Sequence, residues 1–203
     1  MSAPGHTVQQ FAWTSRVLHW MMAVLLLTML FIGVAMVASL ADYHVLVSIH
    51  RPLGILILVL VVVRYINRQV NPPPPFPPTM SQMERIVAVW SERLMYALMF
   101  TLPLVGWGML SAARYPIVLY GAVHLPPILP ISPALYSALR PLHTMLAYLL
   151  FLTFIGHFSA VLFHTLVIRD GLLRRMTIAA NSPAIVSDAR RPPAERVGSP
   201  PRP

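Results

Sequence analysis

Four stretches of this chain are too long and too apolar to be the core helices of a small soluble domain. They run over about 17–41, 45–66, 94–113 and 141–168. A bilayer-spanning helix needs roughly 20 mainly apolar residues, and the first and third stretches carry no acidic or basic residue apart from a single histidine. Only 10% of the 203 residues are charged, against about a quarter in an ordinary soluble domain. The fold class expected is an all-α membrane protein, a bundle of four transmembrane helices. The first stretch far exceeds the roughly 7–15-residue apolar region of a cleaved leader, so it is expected to remain as a span.

The basic residues set the orientation. All fifteen are arginine. On four spans, twelve fall on one side and three on the other, the three being Arg51, Arg114 and Arg140. The positive-inside rule then places both termini in the cytoplasm. This asymmetry accounts for the net charge of +9 without nucleic-acid binding. There is no cysteine, which excludes disulfides, thiolate-held iron–sulfur clusters and covalent haem attachment.

Between the spans, residues 71–78 form a polyproline segment read as a semi-rigid spacer, and Ser81–Arg93 is expected to be a short interfacial helix. Pro103, Gly106 and Gly108 mark the third span as a closely packed scaffold. The loop from Arg114 to Arg140 is apolar but broken by five prolines, so it is expected to cap the bundle rather than cross. Pro141 suits a first helical turn. Pro52 does not, because a span from there to Ile66 would reach only ~22 Å of the ~30 Å needed. The second helix must therefore start near Val45 and bend around His50. Residues 1–176 are read as one domain and 177–203 as a disordered cytoplasmic tail.

Histidine is costly in a bilayer and marks function there. His19 and His50 lie near the starts of the first two spans; His143 and His157 share the last, fourteen residues apart. Fourteen residues make four turns of a helix at 3.5 residues per turn, so both rings face one seam. Depth then pairs His19 with His157 on the inner side and His50 with His143 on the outer side, the two levels ~21 Å apart. The arrangement suits two stacked b-type haems, each iron held by two imidazoles. Histidines that merely bond neighbouring helices are the plain alternative, but four that pair by depth ask for more. A single tetrahedral metal centre cannot bridge two such levels.

Of the other histidines, His6 and His124 are expected to be solvated, and His44, about 240° from His50 around a helix, is expected in an interfacial loop. His164 follows His157 by seven on the same seam. It is a candidate for a haem propionate or a quinone headgroup, with a snorkelling interfacial ring as the alternative. Arg51 and Arg140 break the positive-inside trend and each adjoins an outer-level ligand candidate in a matching Arg-Pro-Leu triplet. They suit haem propionates or a small anion; Arg16 and Arg169 are weaker inner-side candidates.

These residues resemble the bacterial cytochrome b561 family over about residues 11–176. The matching motifs are Val17-Leu18-His19-Trp20, Ile49-His50-Arg51-Pro52-Leu53-Gly54 with Val63-Arg64, and Leu102-Pro103-Leu104-Val105-Gly106-Trp107. Leu119-Tyr120-Gly121, Leu142-His143-Thr144-Met145-Leu146-Ala147 and Gly156-His157 followed by Arg169-Asp170-Gly171-Leu172-Leu173-Arg174-Arg175-Met176 complete the set. The resemblance implies a four-helix, multi-pass protein of the bacterial inner membrane. It implies two b-type haems on His19, His50, His143 and His157, and electron exchange with a quinone such as ubiquinone. One type in the family oxidises superoxide and reduces ubiquinone. This chain departs from the family where Phe163-His164-Thr165 replaces Lys-His-His, and where Thr144 replaces a frequent Glu.

The reading is therefore transmembrane electron transfer linked to the quinone pool, with superoxide oxidation as the candidate oxidoreductase activity. No catalytic residue is assigned beyond the cofactor-binding set. The competing expectation is a cytochrome b anchor subunit that relays electrons for a soluble redox protein. The two differ in whether the isolated chain has a substrate of its own.

Overall fold

Backbone amides inside a bilayer must be paired within the chain, which leaves helices as the element available to long apolar segments. A computed structural model describes residues 10–119, 121 and 123–177. It contains four long helices: α1 (Trp13–Ala38), α2 (Tyr43–Val70), α3 (Gln82–Ala112) and α4 (Pro133–Phe163). A π-helical turn, His164–Ile168, extends α4, and all four are long and apolar enough to cross a membrane. His6 and the expected tail beyond Thr177 lie outside the described residues.

The helices alternate up and down, with α1 packed along α2, α2 along α3, and α3 along α4. No comparable packing joins α1 to α4. Their common core is one layer at mid-height: Met22 and Leu26 from α1, Ile57 and Val61 from α2, Leu98, Met99 and Leu102 from α3, and Leu150 from α4. Most other apolar side chains face outward, Phe31 and Val37 at 73% and 81% exposure among them. Such a surface suits lipid rather than water.

At the end where α1 begins and α4 finishes, here the proximal end, the chain after α4 folds back as a strap. Phe11 N–H donates to the Arg175 carbonyl at 3.1 Å, Trp20 Nε1 to the Met176 carbonyl at 2.7 Å, and Arg175 to the carbonyl of Pro75 in the proline-rich segment. At the distal end a two-stranded hairpin, β1 (Ile117–Leu119) and β2 (Val123–Leu125), packs its first strand against α2, and the segment after it lies over α3. There Trp107 Nε1 donates to the Pro126 carbonyl at 3.0 Å and Ile128 N–H to Ser111 Oγ at 3.1 Å.

Three boundaries differ from the sequence expectations. The interfacial helix expected at Ser81–Arg93 is fused to the third span as one helix, because no glycine or proline interrupts it and Ser81 starts it with a full capping box. The fourth helix begins at Pro133, which takes the first-turn role expected of Pro141 and leaves Pro141 inside the helix. His44 is in the first turn of α2 rather than in a loop. Pro52 does lie inside α2, two turns or more from its start.

In the capping box Ser81 Oγ accepts from the Glu84 amide at 3.3 Å, and Glu84 Oε2 accepts from the Ser81 amide at 2.7 Å. The Ser81 amide, followed by its hydroxyl, holds the Glu84 carboxyl below the usual carboxylate range. The box is therefore intact at neutral pH and is lost as pH falls through that lowered value. Ser81→Ala is expected to cost about 1 kcal/mol of stability, measured as a lower thermal midpoint of the detergent-solubilised protein.

Candidate functional site

A helix that keeps a seven-residue period presents one seam along its length. On α4 that seam is His143, Leu150, His157 and His164. Leu150, 4% exposed, belongs to the mid-height core layer, so one ring lies on either side of that layer. The rings facing them come from α1 and α2. His19 lies with His157, ring centres 6.5 Å apart and planes at 65°. His50 lies with His143, 6.3 Å apart and at 68°. The structure thus brings together both pairs that depth alone had matched.

The two separations have a chemical meaning. A metal–imidazole bond is about 2.0–2.1 Å and a ring nitrogen lies about 1.2 Å from the ring centre, so two imidazoles on opposite sides of one metal have centres about 6.4 Å apart. Both pairs meet that value. Edge-to-face packing of aromatic rings spans about 4.5–7 Å and would also admit them. It would not explain the polar atoms, because the Nδ1 atom of His50 is buried and without a partner. Buried polar atoms left unpaired call for an unseen ligand. Among the described residues no group of three or more His, Cys, Asp or Glu converges on one point, so each level offers two imidazoles and no more.

Helix α3 supplies the wall behind one ring. A Cβ on Gly106 would lie 3.2 Å from Cε1 and 3.5 Å from Nδ1 of His143. The missing side chain is what lets that imidazole seat against the helix.

The arginines divide by end. Arg51, beside His50, is half-buried with an unpartnered Nε, and Arg140 is exposed. Neither is in an ion pair among the described residues. At the proximal end Arg16 donates to Gln10 and to the Thr177 carbonyl, both at 2.8 Å, and Arg169 to the Leu166 carbonyl at 3.2 Å. Arg169 is thus engaged with its own turn, while Arg16, bonded to the strap, keeps a buried Nε without a partner. His44 and His124 are exposed.

His164 is the clearest departure among the expected roles. It does not snorkel: it is 6% exposed, and its Nδ1 lies 2.7 Å from Asp170 Oδ2. The π-helical turn and a left-handed Arg169, φ 56°, carry the chain back so that a carboxylate six residues on meets the ring. Asp170 Oδ1 also accepts from the Leu172 amide at 3.0 Å. Period counting cannot foresee this, because it assumes a continuous α-helix.

Sequence reasoning assigns no role to Arg64, which enters there only through the charge asymmetry and the Val63-Arg64 family match. Its Nη2 is 3.1 Å from His19 Nδ1, its Nε donates to the Tyr96 hydroxyl at 2.9 Å, and its Nη1 is buried without a partner. The signal was present, since Arg64 follows His50 by fourteen residues, the interval that joins His143 to His157.

Residues 10–178 match the family described as prokaryotic cytochrome b561. The chain belongs to that family. Over 174 residues it is 29% identical to cytochrome b561 homolog 2 of Escherichia coli (strain K12), covering 84% of this chain and 93% of that protein. Membership makes it a multi-pass membrane protein that carries b-type haem and transfers electrons across the bilayer. The residues present fit that cofactor, which needs paired neutral imidazoles and no cysteine.

Filling the Gly106 position should disturb the ring it accommodates. Gly106→Val is expected to lower the haem bound per chain, by up to half, while the folded protein persists; the haem-to-protein ratio of the purified variant measures it.

Proposed function

We propose that this chain holds two b-type haems, one between His19 and His157 and one between His50 and His143, and links a small anionic reductant to the quinone pool. The observation that carries the proposal is the pair of ring separations, each matching two imidazoles about one metal, at both ends of a single seam. Each haem, when bound, supplies a one-electron iron couple with no open coordination position.

The protein's part is placement and exclusion. Ile57, Leu26 and Leu150, at 2%, 7% and 4% exposure, fill the space between the levels and keep water from the path between them. By the positive-inside rule the proximal end is cytoplasmic, and the distal end faces outward from the bacterial inner membrane. Arg51 and Arg140 then form a cationic rim at the outer level that draws in superoxide and lengthens its stay. Two superoxide anions each give up one electron and leave as dioxygen; one ubiquinone takes both electrons with two protons to become the quinol. On the inner side His164, its Nδ1 held by Asp170, has Nε2 as the nitrogen that can exchange a proton with the quinone headgroup.

The test is a count and a rate. Purified protein is expected to contain two reducible b-type haems per chain, and His143→Ala or His157→Ala about one. Full haem content in either variant would refute the ligand pairing. Stopped-flow mixing with superoxide should reduce the wild-type cytochrome and, with ubiquinone present, form quinol. Arg51→Gln with Arg140→Gln should slow the superoxide step several-fold and weaken its dependence on salt.

A further inference from the structure

An arginine half-buried in a membrane bundle needs a counter-charge, and Arg64 has none among the described residues. Its three nitrogens meet the Tyr96 hydroxyl, the His19 ring and nothing. The guanidinium carbon also sits 5.7 Å over the Tyr96 ring, which orients it without neutralising it. One turn on, Arg68 engages the neighbouring carboxylate, Glu92, at 2.9 Å from Nη2. Arg64 opens instead onto a small cavity of about 20 Å³ lined by Ser15, Asn67 and Asn71 as well as Tyr96. Asn67 there bonds Ser15, Thr14 and Asn71 at 2.8–3.0 Å. The surroundings are hydrogen-bonding but carry no negative charge.

The contact with His19 cannot outlast occupation of the ring. Arginine only donates, so Nδ1 must be the lone-pair nitrogen in that contact. If Nδ1 binds iron, its lone pair is taken. If Nε2 binds, the neutral ring carries its hydrogen on Nδ1 and becomes a donor facing a donor. Either way Arg64 loses that acceptor and has two N–H-bearing nitrogens, Nη1 and Nη2, facing the proximal level with nothing to receive them.

We propose that Arg64 is the fixed cation of the proximal level. It takes up a carboxylate of the group held between His19 and His157, and its charge raises the reduction potential there. The inference rests on the ligand pairing proposed above. Its physical basis is that reduction removes one unit of positive charge at the iron, so a nearby cation in a poorly screened interior favours the reduced form. At the distal level the adjacent cation is Arg51, whose buried Nε is without a partner and which is not bonded to the His50 ring. One level is therefore tuned separately from the other, and Arg64 biases where the electron rests.

Redox titration of the purified cytochrome followed by absorbance tests this in wild type, Arg64→Gln and Arg64→Lys. Arg64→Gln is expected to lower one of the two one-electron couples by a tenfold or greater change in its equilibrium, which is 59 mV or more, and to leave the other in place. Arg64→Lys should recover most of that shift. Loss of one haem in Arg64→Gln but not in Arg64→Lys would equally support a charge that holds the cofactor. Couples unmoved in Arg64→Gln, both moving together, or a Lys variant as impaired as the Gln variant would overturn the proposal. Wild-type protein with fewer than two haems per chain would instead overturn the ligand pairing on which it rests.

Discussion

Inside a bilayer a polar side chain has no water to fall back on, so each one must be answered by another group in the bundle. That constraint organises this protein. Imidazoles and guanidiniums lie within or at the edges of four apolar helices, and among the described residues the His50 ring and the guanidiniums of Arg16, Arg51 and Arg64 carry buried atoms with no partner in the polypeptide. A chain that left such atoms unanswered would be poorly stable. One that answers them with iron and with the carboxylates of a haem turns the cost into a binding site. The fold and the cofactor are parts of one electrostatic balance.

The helix packing follows from the same demand. Contacts run from α1 to α2, α3 and α4 in turn, without a matching seam between α1 and α4. The bundle is therefore closed by its rings and its single mid-height layer rather than by uniform knobs-into-holes packing. Three of the eight residues in the layer stand one heptad from a histidine: Leu26 after His19, Ile57 after His50 and Leu150 after His143. It separates two polar levels with apolar matter, which permits an electron to pass while excluding water. Helix α3 contributes no histidine, yet Gly106 lets the His143 ring lie against it. The proximal strap ties α1, the proline-rich segment and the end of α4 together with hydrogen bonds of 2.6–3.1 Å.

Family membership and geometry contribute different things. Membership establishes b-type haem and electron transfer across a membrane; the spacing of the rings supports a particular assignment of ligands. The arginines show why both are needed. Arg51 and Arg140 stand out in the sequence because they oppose the charge asymmetry, whereas Arg64 agrees with that asymmetry and is marked only by the Val63-Arg64 match, although its Nη2 lies 3.1 Å from a candidate ligand.

The chain's own order of residues determined the number of helices, the two ring levels and the partners within each level. These depend on span length, on a seven-residue period and on alternating direction, all of which are local counts. Tertiary structure alone decided what breaks those counts. The π-helical turn folds Asp170 back onto His164. Tertiary structure alone decided, too, that Arg64 turns inward to His19 and Tyr96. Each of these is set by hydrogen bonds whose partners lie off the periodic pattern or on another helix, and periodicity records the face of a residue but not the group it will meet.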